Sequence, residues 1–293
     1  MSTKARAQAL EAMIEAYALE LKLPTLRRRF RALADEALRE QQTPVAYLAA
    51  LLGAKRCEIW TDVPGIYSAN PRQVPTARLL KHLDYDEAQE ITSTGAKVLH
   101  PRCIPPVRAH GIELHIRCSQ MPDAVGTVIT SQTEGQGAQV KAISQKSQVT
   151  LISMETLGMW QQVGFLADVF AVFKRHGFSI DLVSTSEMNV TVTLDPASNS
   201  LNPDLVNDLL RDLGQYCRAR QISDCAVVSL VGRHIRAIMH RLGPALELFQ
   251  EQKIYLVSQA ASDLNLTFVV DREQADRLVG QLHELLFMGR VRD

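Results

Sequence analysis

Two stretches about 76 residues apart spell the same order of elements, and no other feature narrows the possible folds as far. SQVTLISMET reads as a strand, GFLADVFAVFKRHG as a helix, and SIDLVSTSE with MNVTVTLD as a strand pair. CAVVSLVG, IRAIMHRLGPALELFQEQ, KIYLVSQ and LNLTFVVD then follow in the same order, and each unit adds a helix such as DREQADRLVGQLHELLF. Ile152-Ser153 aligns with Val228-Ser229, Leu182-Val183-Ser184 with Leu256-Val257-Ser258, and Leu194-Asp195 with Val270-Asp271. A β-α-β-β-α order repeated in this way predicts two ferredoxin-like βαββαβ units, at 136–224 and 225–293.

Ahead of the repeat the chain changes character twice. Residues 4–52 hold helix formers punctuated by Pro24 and Pro44, with no glycine before Gly53, which predicts two or three helices. Leu10, Met13, Ile14, Tyr17 and Leu21 recur at spacings of three and four and predict one amphipathic face. Arg27, Arg28, Arg29 and Arg31 could meet phosphates, but Asp35, Glu36 and Glu40 follow closely, so a solvated helix face is the better reading. From Gly53 strands and helices alternate. RCEIWTDV is a strand ending in Thr61-Asp62, YDEAQEITSTGAKV is helical up to Gly95, IPPVRAHG is a second helix and GIELHIRC a second strand. That alternation predicts a mostly parallel sheet, in which ligands sit beyond the carboxyl ends of strands, where Thr61 and Asp62 lie. Residues 126–137, rich in Thr, Ser, Gln and Gly, read as a linker.

Composition removes several classes of function. Lys plus Arg and Asp plus Glu are equal at 32 each, so no net field draws the chain to nucleic acid or an acidic membrane. Cys57, Cys103, Cys118, Cys217 and Cys225 form no CxxC pair, and their odd number suits reduced thiols. The start lacks the apolar core of a secretory signal, and no apolar run is long enough to span a membrane, so a cytoplasmic protein is expected. The eight histidines include no HExxH pair, and no nucleophile elbow is present, so neither a metal nor a hydrolytic site is expected.

WTDVPGIYSANPR, YDEAQEITSTGAKVLHPR and the GFLADVF and SIDLVSTSE elements together resemble aspartate kinase, over about Ala50 to Leu286. The likeness is to the lysine-sensitive type, including the branch fused to a diaminopimelate decarboxylase. It implies an α/β protein: a partial three-layer amino-acid-kinase domain at 51–135, then two ACT domains, after a helical segment at 1–50. The activity implied is transfer of the ATP γ-phosphate, with Mg²⁺, to the β-carboxylate of aspartate, at the entry to lysine, threonine and methionine biosynthesis. The resemblance puts Thr61, Asp62, Tyr67, Arg72 and Lys97 around the nucleotide; Asn70 stands where most relatives carry Asp, and the two share turn chemistry. It also implies an L-lysine effector held between subunits, at Met159, Gln162, Gly164, Phe165, Leu166, Ser179, Ile180, Asp181, Thr185 and Glu187. Helix-terminal amides after Gly164 suit a carboxylate, and Asp181 or Glu187 suits an ammonium. Phe165 and Leu166 fit plain helix core as readily as ligand contact. A homodimer through the ACT domains, or an intact aspartate kinase, is the implied partner.

The sequence departs from that family upstream. It contains neither a KxGGTS motif nor a GRGGSD loop, and Glu40-Gln41-Gln42-Thr43-Pro44 stands where the glycines belong. Pro44 cannot supply the backbone freedom of a phosphate cradle, so negligible kinase activity is expected, with no catalytic residue assigned. LKLPTLRRRFRALADEALREQQTPVAYLAALL is similar to the N-terminal helical region of insertion-sequence transposase helper ATPases, but no GxxxxGK[ST] follows, which excludes that ATPase. Three readings therefore stand: an incomplete aspartate kinase, a lysine-sensing subunit or fusion remnant without catalysis, and a transposition adaptor.

Overall fold

The computed structural model describes residues 3–20, 24–39, 47, 53–131, 137–155, 163–250, 252–259 and 261–289. The fold is α/β, with one mixed and one antiparallel sheet, in two units. The first comprises residues 1–66, 79–93 and 97–136; the second comprises 67–78, 94–96 and 137–293.

The first unit opens with a hairpin of α1 (Thr3–Glu20) and α2 (Pro24–Arg39). Ala18, Phe30 and Leu33 are buried, and Arg31 reaches Glu11 at 3.0 Å and Glu15 at 2.8 Å. The expected apolar face of α1 does not point inward: Met13, Ile14 and Tyr17 are exposed, because α1 turns its small Ala18 to the interior instead.

A four-stranded sheet follows, in the order β1 (Arg56–Thr61), β3 (Glu113–Cys118), β4 (Thr127–Thr130), β2 (His82–Asp84). β1 and β3 are parallel, as are β2 and β4, while β3 and β4 run antiparallel. β4 corrects the linker reading of 126–137: Thr127 and Ile129 are fully buried, and the strand is legible only through its two neighbours. Thr127 Oγ1 accepts from Ile66 N–H at 2.9 Å and donates to the Leu80 carbonyl at 2.7 Å, tying both ends of the intervening excursion to the sheet. Gly65 is required here, since a Cβ would lie 2.3 Å from that hydroxyl. α3 (Tyr85–Ser93) starts on a capping box: Asp84 Oδ1 accepts from Glu87 N–H at 2.7 Å and Glu87 Oε2 from Asp84 N–H at 3.1 Å. A shorter helix, α4 (Ile104–Ala109), precedes β3.

The second unit is built on one six-stranded antiparallel sheet, ordered β6-β7-β5-β8-β10-β9. Its strands are β5 (Gln139–Glu155), β6 (Val183–Thr185), β7 (Asn189–Leu194), β8 (Arg218–Arg233), β9 (Ile254–Ser258) and β10 (Asn265–Asp271). The longer helices are α5 (Phe165–Arg175), α6 (Pro203–Leu213) and, after two short helices α7 (Ile235–Ile238) and α8 (Gly243–Glu247), α9 (Arg272–His283). The two long strands are shared between the repeats. The later half of β5 pairs with the start of β8, from Leu151↔Ile222 to Glu155↔Arg218, and completes the first βαββαβ unit. The earlier half pairs with the end of β8, from Gln139↔Arg233 to Ser147↔Ala226, so the last strand of the second repeat comes from ahead of the first. Where this β5–β8 pairing passes from one repeat to the other its register shifts, and each strand there carries a non-glycine residue with positive φ, Gln148 (64°) and Asp224 (55°), one repeat length apart.

Helices cover one face of each repeat. Val169, Val172 and Phe173 of α5 and Val206, Leu209 and Leu213 of α6 bury against Ile152, Met154, Val190 and Val192. In the second repeat Ala275, Leu278, Val279 and Leu282 of α9 bury against Val228, Leu230, Phe268 and Val270, and Ala69 and Val74 enter the same core. Phe173 is almost wholly buried, so its truncation to alanine costs about 3–5 kcal/mol.

Candidate functional site

The nucleotide candidates fall in both units. Thr61 and Asp62 end β1, where the Thr61 hydroxyl donates to Asp62 Oδ1 at 3.0 Å and the Thr61 carbonyl accepts from the N–H and hydroxyl of Ser119 at 2.9 and 3.0 Å. Those bonds fix the carboxyl end of β1 beside β3, the position at which an open parallel sheet presents ligand-binding groups. Lys97, also in the first unit, is exposed in the turn after Gly95. Tyr67 and Arg72 belong to the second unit, Tyr67 half-buried and Arg72 exposed. Asn70 plays the expected turn part, its Oδ1 accepting from Arg72 N–H at 3.1 Å. Among the described residues no group of three His, Cys, Asp or Glu side chains could hold a metal ion. One carboxylate with one hydroxyl at a strand end suits the hydrogen-bonding groups of a nucleoside.

The effector candidates all lie in the second unit; Met159 and Gln162 fall outside the described residues. Gly164 opens α5 at φ 90°, a left-handed conformation that favours glycine, and no side chain caps the helix. Among the described residues no side-chain acceptor caps the first amides of this 11-residue helix, at Phe165 and Leu166. The Phe165 ring is buried with Val169 and Phe173, whereas Leu166 stays 40% exposed.

Ser179, Ile180 and Asp181 enter β6 under tight backbone control. The buried Asn199 accepts from Ser179 N–H at 2.7 Å and donates to the Ser179 carbonyl at 3.0 Å. The Thr193 carbonyl accepts from Asp181 N–H at 3.1 Å, and the Thr193 hydroxyl from Leu182 N–H at 2.9 Å. With the backbone so fixed, the Asp181 carboxylate faces Lys146 Nζ at 3.9 Å, and the same ammonium meets Asp195 Oδ2 at 2.9 Å. Burial pushes the Asp181 carboxyl above its ordinary range, Lys146 pulls it down, and Asp195 pushes it up again. Two carboxylates thus converge on the Lys146 ammonium, and Asp195 Oδ1 also accepts from Ala197 N–H at 2.8 Å. Thr185 ends β6 and Glu187 is exposed at the tip of the following turn, where Ser186 N–H donates to the Asn189 carbonyl at 2.8 Å.

The repeat supplies an internal control. Tyr255 occupies the place of Asp181 in the second repeat, and its hydroxyl donates to Asp271 Oδ1 at 2.7 Å, the counterpart of Asp195. That bond, followed by burial, holds the tyrosine at a pKa of about 12, so the second repeat answers its aspartate from within. Lys146 and Asp195 were not singled out from the sequence. Asp195 was legible as a repeat position, but its pairing with Lys146 depends on β5 and β7 lying side by side.

The amino acid kinase family matches residues 43–118. The lysine-sensitive aspartokinase 3 of Escherichia coli is 35% identical over 83% of this chain and 54% of its own length. The chloroplastic aspartokinase 1 of Arabidopsis thaliana is 32% identical over 80% of this chain and 42% of its own. The chain thus spans about half the length of these relatives. The crystal structure of E. coli aspartokinase III with aspartate and ADP superposes with a TM-score of 0.76 at 36% identity, covering 83% of this chain and 55% of that one. The same enzyme with lysine and aspartate gives 0.72 at 34% identity, covering 83% and 54%.

Proposed function

We propose that this chain, which is 35% identical to the E. coli lysine-sensitive aspartokinase 3 over 83% of its length, is an amino-acid sensor of the aspartate kinase family, responsive to L-lysine through its first ferredoxin-like repeat. The observation that carries the reading is the Asp181, Lys146 and Asp195 cluster, two carboxylates about a shared ammonium, on a backbone fixed by Asn199 and Thr193. An amino acid brings an ammonium for that pair and a carboxylate for the first amides of α5; lysine brings a second ammonium, for which Glu187 is the candidate. The two repeats act as ACT domains, and a second copy of the chain or an intact aspartate kinase is the partner.

Thr61, Asp62, Tyr67, Arg72 and Lys97 are the groups that would hold a nucleotide, the first two toward the nucleoside and the cations toward phosphate oxygens. Mg²⁺, when bound with ATP, would neutralise phosphate charge. Phosphoryl transfer also needs a phosphate cradle and an aspartate site, and the chain's sequence contains neither KxGGTS nor GRGGSD. Catalysis without them loses positioning and charge stabilisation together, so the sensor reading is preferred over the enzyme reading. A transposition adaptor is less favoured, since Arg31 is engaged by Glu11 and Glu15.

The test pairs two measurements on the purified chain. Aspartyl-phosphate formation from MgATP and aspartate should be undetectable, and melting with L-lysine at about a hundredfold excess over its dissociation constant should show about 2.7 kcal/mol of stabilisation, with none from L-threonine. Turnover would restore the enzyme reading; no shift with lysine would remove the sensor.

A further inference from the structure

Residues 67–78 sit between β1 and β2 in sequence, yet they are built into the second unit. Ser68 and His283 are both fully buried, and Ser68 Oγ lies 2.8 Å from His283 Nε2. Every polar group of Ser68 is used: its N–H donates to the Arg78 carbonyl at 2.8 Å, its carbonyl accepts from Ile143 N–H of β5 at 2.7 Å, and its Oγ accepts from Arg78 N–H at 2.8 Å. The hydroxyl proton is then left for His283 Nε2, and Nδ1–H faces Thr76 Oγ1 at 3.5 Å. The Phe287 ring stacks on the imidazole with centroids 4.7 Å apart. Asp276, two turns before His283 on the same side of α9, accepts from Gln73 Nε2 at 3.1 Å, and an Arg78 guanidinium nitrogen lies 3.4 Å from Met288 Sδ. Ala69 and Val74 complete the seat in the core.

We propose that His283 is a positioning residue that seats the 67–78 segment, and with it Tyr67 and Arg72, on α9 of the C-terminal unit. Tyr67 directly precedes the clamped Ser68, and Arg72 lies between Ser68 and the tethered Gln73, so the backbone of both follows the clamp. A buried imidazole with no polar task would be replaceable by an apolar ring. Here the imidazole satisfies one hydroxyl, which in turn closes the loop through Arg78 N–H, so an apolar ring leaves a buried hydroxyl without its acceptor. What Tyr67 and Arg72 do rests on the nucleotide reading above; the clamp does not.

Amide hydrogen exchange on the full chain, wild type against His283→Phe, His283→Gln and Ser68→Ala, tests this. The His283→Phe and Ser68→Ala variants should exchange about tenfold faster at the Ser68, Arg78 and Ile143 amides, with β7 and α6 unchanged. His283→Gln, whose carboxamide reaches the Nε2 position, should recover part of the protection. Unchanged exchange in His283→Phe, or acceleration spread evenly over the unit, overturns the clamp. MgATP titrated into the same proteins separates the two ideas. Weaker binding by His283→Phe with recovery in His283→Gln supports positioning, and equal affinity despite a loosened segment overturns it. A wild type that protects the segment but binds no MgATP removes the nucleotide reading and, with it, the role assigned to Tyr67 and Arg72, while the clamp itself stands.

Discussion

At Asp181 burial works against the ionised carboxyl and Lys146 only partly offsets it, so the group sits above its ordinary pKa. A carboxyl raised in the folded state contributes stability below its unfolded value, about 3.9, and loses it as pH rises through the folded value. At neutral pH the ionised side chain therefore detracts from stability, as ligand-binding groups often do. Asp181→Asn should accordingly melt at a higher temperature than the wild type at about pH 7, and the gap should close as pH falls toward about 4. A lower melting temperature at neutral pH would contradict this account. His283 has the opposite sign: burial and then Arg78 hold it below its ordinary value. Its contribution is complete above an unfolded pKa of about 6.5 and is lost as pH falls through that value toward the folded one. The wild type should thus lose melting temperature between about pH 7.5 and 5.5 more steeply than His283→Gln. Asp181 was named in the sequence only through the likeness to lysine-sensitive aspartate kinases. His283 was not, since one histidine among eight acquires meaning only when α9 and residues 67–78 share a core.

Among the elements, the repeat was the most legible, because a strand period and a helix period alternate twice with the same apolar residues at the same places. The exchange of strand halves was hidden. Residues 139–147 carry Lys141, Gln145 and Lys146 and lack a continuous apolar run, so nothing local marks them as the fourth strand of a unit that begins at 225. β4 escaped for a related reason, being four residues long and flanked by turn formers. The α1 face failed differently: its spacing is helical, but spacing does not say which side a partner helix covers. The hinge points of the exchange give an element-scale test. Gln148 holds φ 64°, a region that a β-branched side chain resists more than glutamine does. Gln148→Val should destabilise the chain by about 1–2 kcal/mol in urea, whereas Gln148→Gly should be neutral or slightly stabilising. Equal stability of the two variants would mean that the register shift of β5 against β8 imposes no conformational demand at that residue.

For the whole molecule, the proposed sensor rests on the second unit, which holds two repeats with buried cores and the Asp181, Lys146 and Asp195 cluster. Family kinship was legible from three ordered motifs, and the comparisons bear it out over most of the chain. The central claim is that the first repeat binds an amino acid through Asp181, and calorimetric titration of the purified chain with L-lysine tests it most directly, with Asp181→Ala and L-threonine as controls. Saturable binding of lysine alone, lost in Asp181→Ala while the variant keeps its cooperative melt, is the expected result. Heats no larger than dilution with the folded wild type, or lysine binding unchanged in Asp181→Ala, would contradict the account.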